Sequence, residues 1–165
     1  MHDALRSPTP SVSHAAGPLQ VADCGYFLAS RPGGFVLHMS ASPDHLRRMR
    51  TAVFDTVVSA GADDQVAETA RLVASELAGN AVRLCGPWAP LIVQIISAPD
   101  EIQVQVHDPE PSAVPHRHAV RPDNARFESG RGLWILDALA PGWTVEPTPI
   151  GKQITATLPR TGFAP

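Results

Sequence analysis

Cysteine is scarce in this sequence: Cys24 and Cys85 stand alone, without the spacing of metal ligands. That argues against a disulfide-stapled scaffold or a cysteine zinc site, and the default is a reduced, cytoplasmic chain. Lysine is scarcer still, since Lys152 is the single lysine beside twelve arginines. The net charge of −3 argues against a general nucleic-acid binder, and Arg47, Arg48 and Arg50 read as a solvated helix face. Long hydrophobic runs are missing. The longest, Leu91 to Ala98, is too short to span a bilayer, and Met1 to Arg6 lacks the basic start and apolar core of a signal peptide, so no membrane contact is expected. Internal repeats are absent. Ser75 and Ser129 have no sequence-local His or Asp arrangement, which argues against a serine hydrolase.

What is present suits one compact domain. A chain of 165 residues that is 44% hydrophobic can bury a sizeable core. Residues 1–33, rich in Pro, Ser, Gly and Ala, read as a flexible extension, although Tyr26-Phe27-Leu28 could dock on the domain or on a partner. The domain is expected over 34–160, with 161–165 as a tail. Phe35 to Met39 reads as a strand. Ser42-Pro43 is an N-cap followed by proline at N1, which predicts a helix from Pro43 to Ala60 with Leu46, Met49, Val53 and Val57 inward. Gly61 stops it, and Asp63 or Asp64 caps the next helix. Two hairpins follow from strand patterns at Leu91–Ser97 with Ile102–Val106, and at Trp143–Glu146 with Gln153–Leu158. The expected class is α+β: a two-layer α/β sandwich, with a mostly antiparallel mixed sheet and helices on one face.

The chemistry concentrates in three places. The second helix carries an apolar stripe Val66, Ala70, Val73, Leu77, Ala81, Leu84 at helical period. Beside it, Glu76 and Asn80 stand one turn apart on the same face. A carboxylate can act as a general base, and a neutral carboxamide oxygen can hold a hard cation; a plain solvated helix edge would show the same pair. The alternating strand EIQVQVHD ends in Asp108, and Pro109-Glu110-Pro111 stop its ladder. A carboxylate there also serves as an ordinary turn cap. Gly130-Arg131-Gly132-Leu133 opens a helix-like run through Leu139, where close backbone approach and free N–H groups suit an anion, though glycines also open ordinary turns. Between them, Pro111 to Ser129 has no period and carries Arg117, Arg121 and Arg126, the composition of a lid or a disordered segment. His107, His116 and His118 with Asp108 raise a metal site, but no structured fourth ligand follows, and loop histidines are the plainer reading. Trp134 reads as core or partner surface.

Taken in order, these pieces resemble the histidine-kinase-like ATPases of the Bergerat fold, shared by DNA gyrase, a class of heat-shock chaperones, mismatch-repair ATPases and sensor kinases. Glu76 and Asn80 look like the family's N box, Asp108 its first ATP-binding box, and Gly130-Arg131-Gly132-Leu133 its second. Gly151 to Leu158 looks like its closing strand. Within the family, the chain is most similar to small anti-sigma-factor serine/threonine kinases and their actinobacterial ATP-binding relatives, over roughly residues 34 to 159. That resemblance implies ATP and Mg²⁺ as cofactors. It implies Glu76 as base, Asn80 as Mg²⁺ ligand, Asp108 as acceptor for the adenine amino group, and the glycine box with Arg131 around the phosphates. It also implies a sigma factor or an anti-sigma-factor antagonist as partner, and a possible homodimer. Asp108→Asn is then expected to weaken ATP binding with the fold intact. Two departures stand out: Pro109, Glu110 and Pro111 replace the glycines that usually follow the aspartate, and Gln153 stands where the family often has threonine. They keep open a second reading, a nucleotide-binding interaction module without catalysis.

Overall fold

A three-stranded meander, two long helices, a hairpin, a third helix and a second hairpin follow in chain order, and the strands build one sheet with a helical layer on one side. The computed structural model describes residues 20–112 and 128–161. The elements are β1 (Gln20–Asp23), β2 (Tyr26–Arg31), β3 (Gly34–Ser40), α1 (Pro43–Ser59), α2 (Asp64–Cys85), β4 (Pro90–Ser97), β5 (Glu101–Asp108), α3 (Glu128–Leu139), β6 (Thr144–Thr148) and β7 (Gly151–Pro159). The strand order is β1-β2-β3-β4-β5-β7-β6. The α+β sandwich is as expected, but the sheet is not mixed: every strand pairing among the described residues is antiparallel.

Alternation decides which side chains meet the helices. Phe35, Leu37 and Met39 on β3, Leu91, Val93 and Ile95 on β4, and Ile102, Val104 and Val106 on β5 point to the helical layer and are buried. Their neighbours Ile92, Gln94, Gln103, Gln105 and His107 lie half-buried on the opposite face. The helices answer with Met49, Val53 and Val57 from α1, and Val66, Ala70, Val73, Leu77 and Ala81 from α2. Each fully buried aliphatic side chain contributes about 1.5–3 kcal/mol by leaving water. Leu84 does not continue the stripe: it is 48% exposed, and Cys85 packs on the core instead. At 3.6 residues per turn, either position can follow Ala81.

The helix punctuation follows the sequence closely. Ser42 Oγ accepts from His45 N–H at 3.0 Å, the N-cap bond expected there. Asp63 is the N-cap of α2 but makes no side-chain cap bond. The far end of α1 is held from the C-terminal side of the chain. The Arg160 guanidinium donates to the Ala60 carbonyl and, at 3.0 Å, to the Ala98 carbonyl, placing a cation at a helix C-terminus.

Residues 20–31 correct the expectation of a flexible extension through residue 33, because they form two paired strands of the sheet. The glycines and proline that suggested a tail are turn residues. Gly25 at φ 73° and Gly33 at φ 69° close two-residue turns, the second as Pro32-Gly33. Tyr26 is buried in the core, with the Arg48 guanidinium 3.9 Å from its ring centre. Arg48 also pairs with Asp23 at 3.1 Å. The expectations for residues 1–19 and 162–165 lie outside the described residues.

Candidate functional site

Two strands and one helix end converge on Asp108. On β5 it continues the inward phase of Ile102, Val104 and Val106. On β7, Lys152 continues the inward phase of Ile154, Ala156 and Leu158. The register pairs Asp108 directly with Lys152, so the two side chains leave the same face at adjacent positions. Gly151 makes this approach possible: at φ 147°, a Cβ there would lie 2.0 Å from the Asp108 carbonyl oxygen.

The result is a buried ion pair. Lys152 Nζ donates to Asp108 Oδ1 at 2.8 Å and to the Glu110 carbonyl at 2.6 Å. The Glu110 N–H donates to the same Oδ1 at 2.9 Å. Among the described residues, no bond reaches Oδ2. Glu110 in turn accepts from Ser112 N–H at 2.9 Å. The end of α2 meets this corner through Cys85. Burial pushes the Cys85 thiol up, and the Asp108 carboxylate adds to that while Lys152 opposes it.

Glu76 and Asn80 are half-buried, one turn apart on α2. Glu76 makes no hydrogen bond or ion pair among the described residues, so its carboxylate is available as a base. At Asn80, Oδ1 accepts from the Arg83 guanidinium, while Nδ2 is buried without a partner. An unpaired buried amide costs about 1–3 kcal/mol, and such a group calls for an acceptor from outside the fold. A phosphate oxygen meets that need. A hard cation needs Oδ1 instead, and fits only once Arg83 turns away, toward an anion. The donor set therefore fits a metal-bound phosphate, with Arg83 as a second cation beside it.

The glycine box differs in detail from the sequence expectation. Gly130, Arg131, Gly132 and Leu133 lie within the first turns of α3, not ahead of it. Glu128 already starts the helix, because the short GRG run does not break the helical pattern continued by Leu133 to Leu139. α3 packs on α2, the helix of Glu76 and Asn80. Leu136 is buried, Trp134 is half-buried, and Trp143 Nε1 donates to Asp137 Oδ1 at 2.7 Å. Most of the expected lid, Pro111 to Ser129, lies outside the described residues, as do His116 and His118. His107 is bonded to Thr148 Oγ1 at 2.7 Å, and the described residues hold no cluster of three metal-ligating side chains. No helix among them is long and apolar enough to cross a membrane.

Sequence reasoning missed Lys152 and Arg83 as site residues. The signal for Lys152 was its phase, two residues before Ile154 on the inward side of a strand. For Arg83 it was the i,i+3 spacing from Asn80.

An antiparallel sheet with helices on one face, a carboxylate at a strand end and an orphaned carboxamide on a helix suit a nucleotide-binding domain of ATPase type, and the family comparison shows that class. The sequence profile of the histidine kinase-like ATPase domain matches residues 39–158, and the chain belongs to that family. No curated protein matches it.

Proposed function

We propose that this chain is an ATP-binding regulator of the anti-sigma-factor kinase type. It transfers the γ-phosphoryl group of ATP to a serine or threonine hydroxyl of a small antagonist protein. It binds that antagonist, a sigma factor, or both, acts in the cytoplasm as a possible homodimer, and makes no direct contact with nucleic acid or membrane. In the transfer, the hydroxyl oxygen bonds to the γ-phosphorus, the bond to the bridging oxygen of ADP breaks, and Glu76 takes the hydroxyl proton. Asp108 accepts from the adenine amino group. Asn80 and Arg83 face the phosphates, with Asn80 Oδ1 as the Mg²⁺ ligand. The backbone of Gly130, Gly132 and Leu133 and the charge of Arg131 border the same phosphates. Bound Mg²⁺ neutralises phosphate charge, so the protein's own part is positioning and proton transfer.

The observation that carries the reading is the unpartnered Asn80 amide one turn from the unengaged carboxylate of Glu76, in a chain of this family. The test is Glu76→Gln, assayed for ATP binding and for phosphotransfer to a partner recovered by pull-down. Binding is expected to stay near the parental value while transfer falls by roughly 10²–10⁴-fold. Transfer at the parental rate removes Glu76 as base.

A second reading, a nucleotide-binding interaction module without catalysis, is favoured by Arg83, which holds the Asn80 oxygen that Mg²⁺ needs. Calorimetry with and without Mg²⁺ separates the two. The kinase reading expects Mg²⁺ to strengthen ATP binding; indifference to Mg²⁺ supports the module.

A further inference from the structure

The one lysine of the chain lies in the core, 1% exposed. A buried ammonium is costly unless paired, so its partners define its role. Two of its three donors reach Asp108 Oδ1 and the Glu110 carbonyl, at 2.8 and 2.6 Å. The first contact, together with the Glu110 N–H, places two donors on Oδ1. The second ties down the corner Asp108-Pro109-Glu110, where Pro109 supplies no N–H of its own. Lys152 therefore fixes which oxygen of Asp108 is engaged and which is left to a ligand.

We propose that Lys152 is the positioning residue that sets base specificity. By holding Oδ1, it presents Oδ2 of Asp108 as an acceptor that selects a purine bearing an exocyclic amino group over one bearing a carbonyl oxygen. This rests on the assignment of Asp108 to the base end of the nucleotide site. The selectivity follows from acceptor chemistry. An ionised carboxylate only accepts, so it bonds an amino group and repels a carbonyl oxygen. Without the ammonium, only the Glu110 N–H holds Oδ1 and the corner loses its tie to β7, so the carboxylate is free to turn. Oδ2 is then no longer held toward the base, the amino group loses its placed acceptor, and the preference between the two bases falls. A merely structural role for the pair, joining the ends of β5 and β7, would lower stability without changing the preference between bases.

The test is calorimetric titration of ATP and of inosine triphosphate, which carries a carbonyl at the amino position, into the parent and into Lys152→Met. Circular dichroism confirms folding at the working temperature. The parent is expected to favour ATP by at least roughly tenfold, since a site built to bond one polar group rejects its mismatch. In Lys152→Met the ratio is expected to fall to within about threefold, mainly through lost ATP affinity. A folded Lys152→Met that keeps the parental ratio overturns the proposal. If that variant does not fold, the parent decides by nuclear magnetic resonance of the Lys152 ammonium, which burial shields from exchange. A shift with ATP but not with tripolyphosphate supports the proposal, and the absence of such a shift overturns it. A parent that binds both nucleotides equally overturns the base specificity but leaves the nucleotide site standing. A parent that binds neither overturns the functional reading, and this proposal with it.

Discussion

Asp108→Asn perturbs both an acceptor for the base and the buried pair that holds it. On sequence grounds the change removes an acceptor for the base and spares the fold. In the structure it also strips the charge from the partner of Lys152, and the two residues are 2% and 1% exposed. Removing one member of a buried pair costs about 3–5 kcal/mol, because the other charge stays behind uncompensated. Asparagine can still accept from Lys152 and from the Glu110 N–H, so the low end applies, about 3 kcal/mol. For a domain of this size, 1 kcal/mol moves the melting temperature by about 2–4 °C, so a loss of about 6–12 °C is expected. Replacing both partners, as Asp108→Leu with Lys152→Met, leaves no orphaned charge. It should restore most of the loss, giving a strong coupling in a double-mutant cycle. Thermal and urea unfolding of the parent, of Asp108→Asn, and of the cycle's corners Asp108→Leu, Lys152→Met and their double variant supply the numbers. Asp108→Asn within about 0.5 kcal/mol of the parent, with additive effects in the cycle, would refute the buried-pair argument.

Arg83→Ala frees Asn80 Oδ1 for a cation. Because Arg83 is exposed, the competing contact is worth little, about 0.2–1 kcal/mol. The Mg²⁺ concentration for half-maximal ATP binding should therefore fall by only about 1.5–5-fold, while ATP affinity at saturating Mg²⁺ weakens with the loss of the Arg83 charge beside the phosphates; a rise in the Mg²⁺ requirement contradicts the competition. Burial and the Asp108 charge raise the Cys85 thiol, so less reactive thiolate forms at any given pH. Alkylation at pH about 8 should label the exposed Cys24 first, by at least roughly tenfold on mass-spectrometric readout; equal rates contradict the placement of Cys85. The Cys24 N–H, and then Arg48, hold the Asp23 carboxyl below its ordinary value of 3.8. A depressed carboxylate contributes stability that is present above its unfolded value and lost as pH falls below it. The protection factors of β1 and β2 amides, taken relative to intrinsic exchange, should accordingly fall slightly as pH drops below about 3.8 in the parent, and Asp23→Asn should weaken that pH dependence.

Much of the fold was legible because local rules and tertiary packing agreed. Ser42-Pro43 marked a helix start that the Ser42 cap bond realises. The alternation at 102–106 gave a strand whose odd residues face out and whose even residues lie in the core. Residues 20–33 were misread because Cys24-Gly25 and Pro32-Gly33 cut their apolar residues into short runs within a stretch rich in Pro, Ser, Gly and Ala. What orders them is long-range: strand pairing, burial of Tyr26, and Arg48 stacked on its ring from another element. Composition does not record such contacts. The site split the same way. Glu76 and Asn80 follow from helical spacing, whereas the Asp108–Lys152 pair joins residues forty-four apart. It needs the β5–β7 register, which no local pattern supplies. The sequence also placed the glycines ahead of α3, although the helix runs through them. Their low helix propensity was overridden by packing of α3 on α2.

The central claim is that one nucleotide touches both the orphaned Asn80 amide and the Asp108 corner. The most direct measurement is a nuclear magnetic resonance titration of the isotope-labelled chain with Mg-ATP. It follows the Asn80 side-chain NH₂ and the Glu110 backbone N–H, which is bonded to Asp108. Both signals are expected to shift, to saturate, and to give the same Kd. ATP that leaves both unmoved, or that moves them with different affinities, contradicts a single site spanning α2 and the end of β5.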